Sequence, residues 1–301
     1  MLKWIKRLNA SRVQWMKAKG EQLRFKYLPG IGRRLLHWST WQARKALADN
    51  APLVLVDSSV LHNAVTHETV WIDTGESLWG GVVPINTGYM ARVPVHRVGS
   101  DVAAYSDIVF LPGLTYLGKL GLLRLRTSAE LIAEREAHPP ARFRATGMFD
   151  YSLFGGGELE SVDGHHWDGI LGSPFQPRPS PRDIQRDRLS ASGDPLYRKL
   201  LEVLGPNNSQ DAWHIRTAEV HGMLCFLTMD HRLIRAMQAQ ARHPVIKSLK
   251  TRVLTPADLG KELGILPFPP LLLSYTNASY PVRTDITQID EKRRPARRPT
   301  R

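Results

Sequence analysis

The chain has 301 residues, 41 of them Lys or Arg against 28 Asp or Glu, for a formal charge of +13. Its 42% apolar content is that of a globular protein and excludes wholesale disorder, and no apolar run approaches the ~18 residues of a membrane span. The lone cysteine, Cys225, excludes an internal disulfide framework and a thiolate zinc cluster, and suits a reducing, cytoplasmic setting.

The charge lies at the two ends. Residues 1–50 hold 12 basic residues and 2 acids, residues 281–301 hold 7 and 3, and the stretch between is close to neutral. Basic flanks on a neutral body read as arms for a polyanion. Residues 1–50 are predicted as a helical, amphipathic extension, with Trp4, Ile5, Leu8, Trp15, Leu23 and Phe25 set among Lys and Arg. Charges interrupt every apolar run long enough for a signal peptide. The aromatics suit stacking on bases or a lipid interface, while Trp38 and Trp41 equally suit packing against the body.

Ala51-Pro52 ends the basic region, and Leu53-Val54-Leu55-Val56 reads as a strand buried on both faces, ending at Asp57. Residues 66–99 read as an inserted β-ribbon. From Asp101 to Leu120 the spacing is helical, with a break or kink expected at Pro112-Gly113. Leu122 to Thr127 is a second strand, and Ser128 caps a helix over Ala129–Ala137. Residues 138–192, rich in Gly and Pro and without periodicity, are expected to form a long mobile loop. Helices follow over Pro195–Leu204 and Asp211–His221, the second closed by Gly222. Met223–Thr228 is a strand leading to Asp230, 231–241 a helix, Thr251–Leu254 a last strand and Pro256–Leu263 a last helix. Strands alternating with helices predict an α/β sandwich on a parallel sheet over residues 51–264, followed by a basic, disordered tail at 265–301.

Asp57 and Asp230 follow strands, and Asp211 opens a helix. In open α/β sheets ligands bind beyond the carboxyl ends of the strands, so these acids are sent to one edge. Glu134, one to two turns into the helix after the second strand, can join them, with Glu130 a rival one turn earlier. Clustered carboxylates repel, and an oxygen-preferring cation such as Mg²⁺ or Mn²⁺ relieves that repulsion.

Val56-Asp57-Ser58-Ser59-Val60-Leu61 resembles the opening motif of PIN-domain proteins, an apolar strand, an Asp and a hydroxyl two residues on. Asn208 to Glu219, then Phe226-Leu227-Thr228-Met229-Asp230, resembles the same family's C-terminal half, where an Asp starts a helix and a strand ends in Thr-x-Asp. Ser128 to Glu134 has the spacing of the family's middle acid. The resemblance covers residues 53–64, 114–137 and 207–259. It implies a PIN-like metal-dependent endoribonuclease in which Asp57, Glu134, Asp211 and Asp230 hold Mg²⁺ or Mn²⁺, leaving a 5′-phosphate and a 3′-hydroxyl. Ser59 and Thr228 would position a carboxylate or the attacking water. RNA is the implied partner, with an antitoxin-like regulatory protein a further one. The alternative is a non-catalytic RNA- or partner-binding protein on the same scaffold. A membrane-surface role through the N-terminal helix ranks behind both and is not expected.

Other signals carry less. Gly113 to Lys119 follows a P-loop pattern, but Leu120 stands where Ser or Thr is needed. His165-His166 reads as polar loop, Cys225 as core, and His214, one turn after Asp211, as a half-buried structural residue that could touch substrate.

Overall fold

The computed structural model describes residues 19–20, 23, 27–28, 30–96, 102–137, 151–154, 159–164 and 181–273. Trp4, Trp15, the His165-His166 pair, the prolines between 174 and 179 and the basic run 292–298 lie outside the described residues. The described residues from 19 to 39 are helical, and α1 (Trp41–Ala46) follows them after Thr40. Then come β1 (Leu53–Val56), α2 (Ser58–Asn63), β2 (Val65–Trp79), β3 (Val83–Pro94), α3 (Val102–Ile108), α4 (Leu111–Lys119), β4 (Arg124–Arg126) and α5 (Ala129–Ala137). The remainder is β5 (Tyr151–Ser152), α6 (Pro181–Ser190), α7 (Pro195–Leu204), α8 (Ser209–Val220), β6 (Cys225–Leu227), α9 (His231–Ala239), α10 (Pro244–Ser248), β7 (Arg252–Leu254) and α11 (Pro256–Glu262).

The central sheet has four parallel strands in the order β4-β1-β6-β7. The inner strands β1 and β6 are apolar at every position because layers cover both faces. Arg124, Arg126 and Arg252 lie on the outer strands, where charge discourages pairing with another chain. Alternation divides the core in two. Val54, Val56, Cys225 and Leu227 face α2, α3, α4 and α11 together with Ala43 and Leu47. Leu55 and Phe226 face α5 to α9, meeting Leu131, Leu189, Tyr197, Leu200, Ala212, Ile215 and Leu233. The architecture is a three-layer α/β/α sandwich, as the alternating pattern predicts.

Residues 66–99 do carry a β-ribbon. β2 and β3 pair antiparallel from His67↔Pro94 to Trp79↔Val83, and the loop between them places Gly80 and Gly81 at φ 61° and 76°. Such angles suit glycine and match the twist of a hairpin. Tyr151–Ser152 pairs with the base of β2, so the two long excursions from the sandwich meet there.

Three local expectations change. The helical stretch before Leu120 breaks at Val109-Phe110, and Pro112 lies in the first turn of α4, where its missing amide costs nothing. Within 138–192, α6 forms despite weak periodicity. Its buried side is held by Leu189 and by Gln185, whose amide donates to Glu130 Oε2 at 2.7 Å. The packed chain also runs past residue 264, because Ile265 and Phe268 are buried in the core.

Candidate functional site

The order of the sheet reverses between β1 and β6, which makes their carboxyl ends the place where an open α/β sheet has room for a ligand. Asp57 follows β1 directly, and its amide donates to Leu227 O at 3.0 Å, so the backbone ladder runs up to the carboxylate itself. Asp57 Oδ2 accepts from the Ser59 hydroxyl at 2.5 Å and from the Thr228 hydroxyl at 2.7 Å. The Met229 amide donates to Ser59 Oγ and the Asp230 amide to Thr228 Oγ1, each at 3.0 Å. Both hydroxyls therefore point at Asp57 while their oxygens accept amides from the turn after β6. That turn ends at Asp230, whose Oδ1 caps α9 by accepting from the Arg232 amide at 2.7 Å.

Asp211 lies in the first turn of α8, with Asn208 at the cap position, so its carboxylate is not spent on capping. His214, one turn on, is fully buried, more so than the sequence suggests. Its Nε2 stands 3.5 Å from Glu134 Oε2, and its ring packs 5.7 Å from that of Phe226. Glu130 is turned to another task. Its carboxylate binds Arg188 at 2.6 Å and Gln185 at 2.7 Å, clasping α6 to α5. Of the two glutamates, Glu134 is the one that acts on Asp57 and Asp211.

Electrostatics show that the acids share one neighbourhood. Burial holds the Asp57 carboxyl above its usual range against the Ser59 and Thr228 hydroxyls, with Glu134 adding to the rise and His214 opposing it. Asp211 is pushed up to about 6, first by burial, with Asp57, Asp230 and Glu134 raising it and His214 lowering it. Burial alone would lower His214, yet Glu134, Asp57 and Asp211 together raise it. His214 is thus the basic side chain buried among these acids. Sequence spacing hinted at this, since His214 is three residues from Asp211 on one helix face.

The donor set is all carboxylate oxygen and short of positive charge, which fits a hard divalent cation in chemistry. Among the described residues, however, no three His, Cys, Asp or Glu side chains form a group placed to hold one ion. Glu134 stands against His214, and Asp230 caps its helix.

The raised Asp211 makes stability depend on pH. A folded-state pKa of about 6 exceeds the unfolded value of ~3.9, so the stabilising effect of the protonated group is full below pH ~4 and lost as pH rises through 6. Asp211→Asn removes that loss. At pH 7.5 it should raise stability by about 2 kcal/mol and the melting temperature by about 5 °C, outweighing the ~0.5 kcal/mol a charged first-turn acid gives the helix. Calorimetry from pH 4 to 8 should show the gain vanish near pH 4. A gain independent of pH would contradict the coupling.

No protein-family model matches the chain, and neither a curated protein nor a solved structure is detectably similar to it. What the fold defines is the broad class, an α/β protein on a four-stranded parallel sheet. No described helix is long and apolar enough to cross a membrane.

Proposed function

We propose that this chain is a PIN-like, metal-dependent endoribonuclease. The observation that supports the reading is that Asp57, Asp230 and Glu134, from three other segments, all act on Asp211, which is lifted to about 6. Mg²⁺ or Mn²⁺ would be held by these four acids, supplying positive charge against the scissile phosphate and lowering the pKa of a water. The chain's own residues set the stage. Ser59 and Thr228 fix the rotamer of Asp57, and His214 backs Glu134 from the buried side. The basic flanks hold the RNA backbone without reading sequence. On the same reading the protein is cytoplasmic and a regulatory protein of the antitoxin kind is a candidate partner.

One observation favours the second reading, a non-catalytic RNA- or partner-binding protein. Asp57 and Asp230 both make structural bonds, and no ready-made group of three ligands stands among the described residues. Incubating the purified protein with single-stranded and structured RNA, in Mn²⁺, Mg²⁺ or EDTA, separates the two. The expected result is metal-dependent cleavage that Asp230→Asn and Glu134→Gln abolish and Glu130→Gln preserves. Salt-sensitive binding without cleavage would select the second reading. Cleavage surviving in Asp230→Asn would sink the site, since Asn caps a helix as well as Asp does and the fold would be intact.

A further inference from the structure

The helical residues before Ala51 have two apolar sides, and the body uses one. Gly32, Leu36, Ser39, Ala43 and Leu47 are buried against it. The approach is close at Gly113 of α4, where a Cβ would stand 2.5 Å from Ile265 Cγ2 and 3.4 Å from Thr40 Cγ2. His37 Nδ1 meets the Tyr116 hydroxyl at 2.8 Å, and the Leu266 amide donates to Ser39 O at 2.9 Å. The docking side is therefore fixed by packing and by hydrogen bonds.

The other side has no such cover. Leu23, Ile31, Leu35, Trp38 and Trp41 are each between 45% and 65% exposed. Ile31 and Leu35 are four residues apart and Trp38 follows three residues later in one continuous helical stretch, which places them on one stripe. Arg33, Arg34 and Lys45, all exposed, are interspersed with them, in a flank holding 12 basic residues against 2 acids.

We propose that this stripe docks the N-terminal helical region flat on an anionic phospholipid surface. The aliphatic and indole side chains enter the boundary between headgroups and acyl chains, and the arginines and lysines meet lipid phosphates. RNA fits the same face less well. Bases could stack on Trp38 and Trp41, but they offer Leu23, Ile31 and Leu35 no apolar medium. A second copy would bring one strongly basic flank against another. The described helices do not reach across a bilayer, so the contact is with its surface. Composition alone ranks a membrane surface behind RNA and leaves Trp38 and Trp41 equally suited to packing on the body. Their exposure reverses that ranking. The inference is independent of the carboxylate site, and it assigns the N-terminal flank to lipid, which leaves the basic run at 292–298 as the arm for RNA.

The test is flotation of the full-length protein, in EDTA, with vesicles of phosphatidylcholine and with vesicles in which about a third of the lipid is phosphatidylglycerol. Association with the anionic vesicles only, weakened about tenfold by the pair Leu35→Glu and Trp38→Glu and clearly reduced by Arg33→Gln with Arg34→Gln, is the expected result. All four positions are exposed, so unchanged melting temperatures confirm that the variants fold. Failure to float with anionic vesicles would overturn the proposal, as would flotation that the Glu pair leaves intact. Loss of RNA affinity in that pair, without vesicle association, would assign the stripe to RNA. A dimer abolished by the same pair, again without vesicle association, would assign it to a second copy.

Discussion

Asp57→Asn should lower metal-dependent RNA cleavage by about 10³-fold while leaving the melting temperature unchanged or higher. The size follows from the several kcal/mol of charge stabilisation at a scissile phosphate that a carboxylate-held cation provides, at about 1.4 kcal/mol per decade of rate. The stability follows from the site. Burial raises the Asp57 carboxyl, so its charge costs the folded state free energy that a neutral amide does not. Asn keeps one oxygen acceptor for the Ser59 and Thr228 hydroxyls, so the contact between the turns after β1 and β6 survives. Single-turnover cleavage and calorimetry on the same preparation check both halves. Lost cleavage together with a falling melting temperature would mean that Asp57 is a structural latch and not a ligand.

The second large effect is on folding. Phe226→Ala should cost about 3–5 kcal/mol and lower the melting temperature by roughly 10 °C. Phe226 is fully buried in the middle of β6, on the face that meets α5 to α9. Nothing in a close-packed interior collapses easily into the space a phenyl ring leaves. Its ring also lies against His214, so truncation loosens the support behind Glu134. Phe226→Leu, keeping most of the volume, should cost under about 1.5 kcal/mol. Denaturant unfolding measures both, and equal costs would mean the site repacks freely.

The sandwich was legible wherever burial writes itself into residue type. Leu53 to Val56 and Cys225 to Leu227 are covered on both faces, and an unbroken apolar run records that. The helix Pro195–Leu204 was legible at its start, where Asp194 Oδ1 accepts from the Tyr197 amide at 2.9 Å. α6 was not, because Pro181–Ser190 has only Ile184 and Leu189 as apolar residues and completes its contact with Gln185 and Arg188. Pattern reading has no way to weigh a glutamine that binds a buried glutamate. The N-terminal helix was legible as amphipathic but not in orientation, since Leu35 and Leu36 are the same residue type, the first exposed and the second buried. At the site, the order and spacing of the acids pointed to one edge. The spacing from Ser128 already favoured Glu134 over Glu130, but the engagement of Glu130 by Gln185 and Arg188, 55 and 58 residues away, is visible only in three dimensions.

Cys225 is a core residue. It sits in an inner strand, wholly buried, with its thiol pushed up to about 12 by burial. So protonated and so enclosed, it reacts with an alkylating reagent only in molecules whose sheet has opened. As the chain's sole thiol, it is a built-in chemical stopwatch for unfolding that needs no label and no mutation. β6 runs straight into Thr228 and Asp230, so any ligand that grips that edge should slow the stopwatch, whether or not the protein goes on to cleave it.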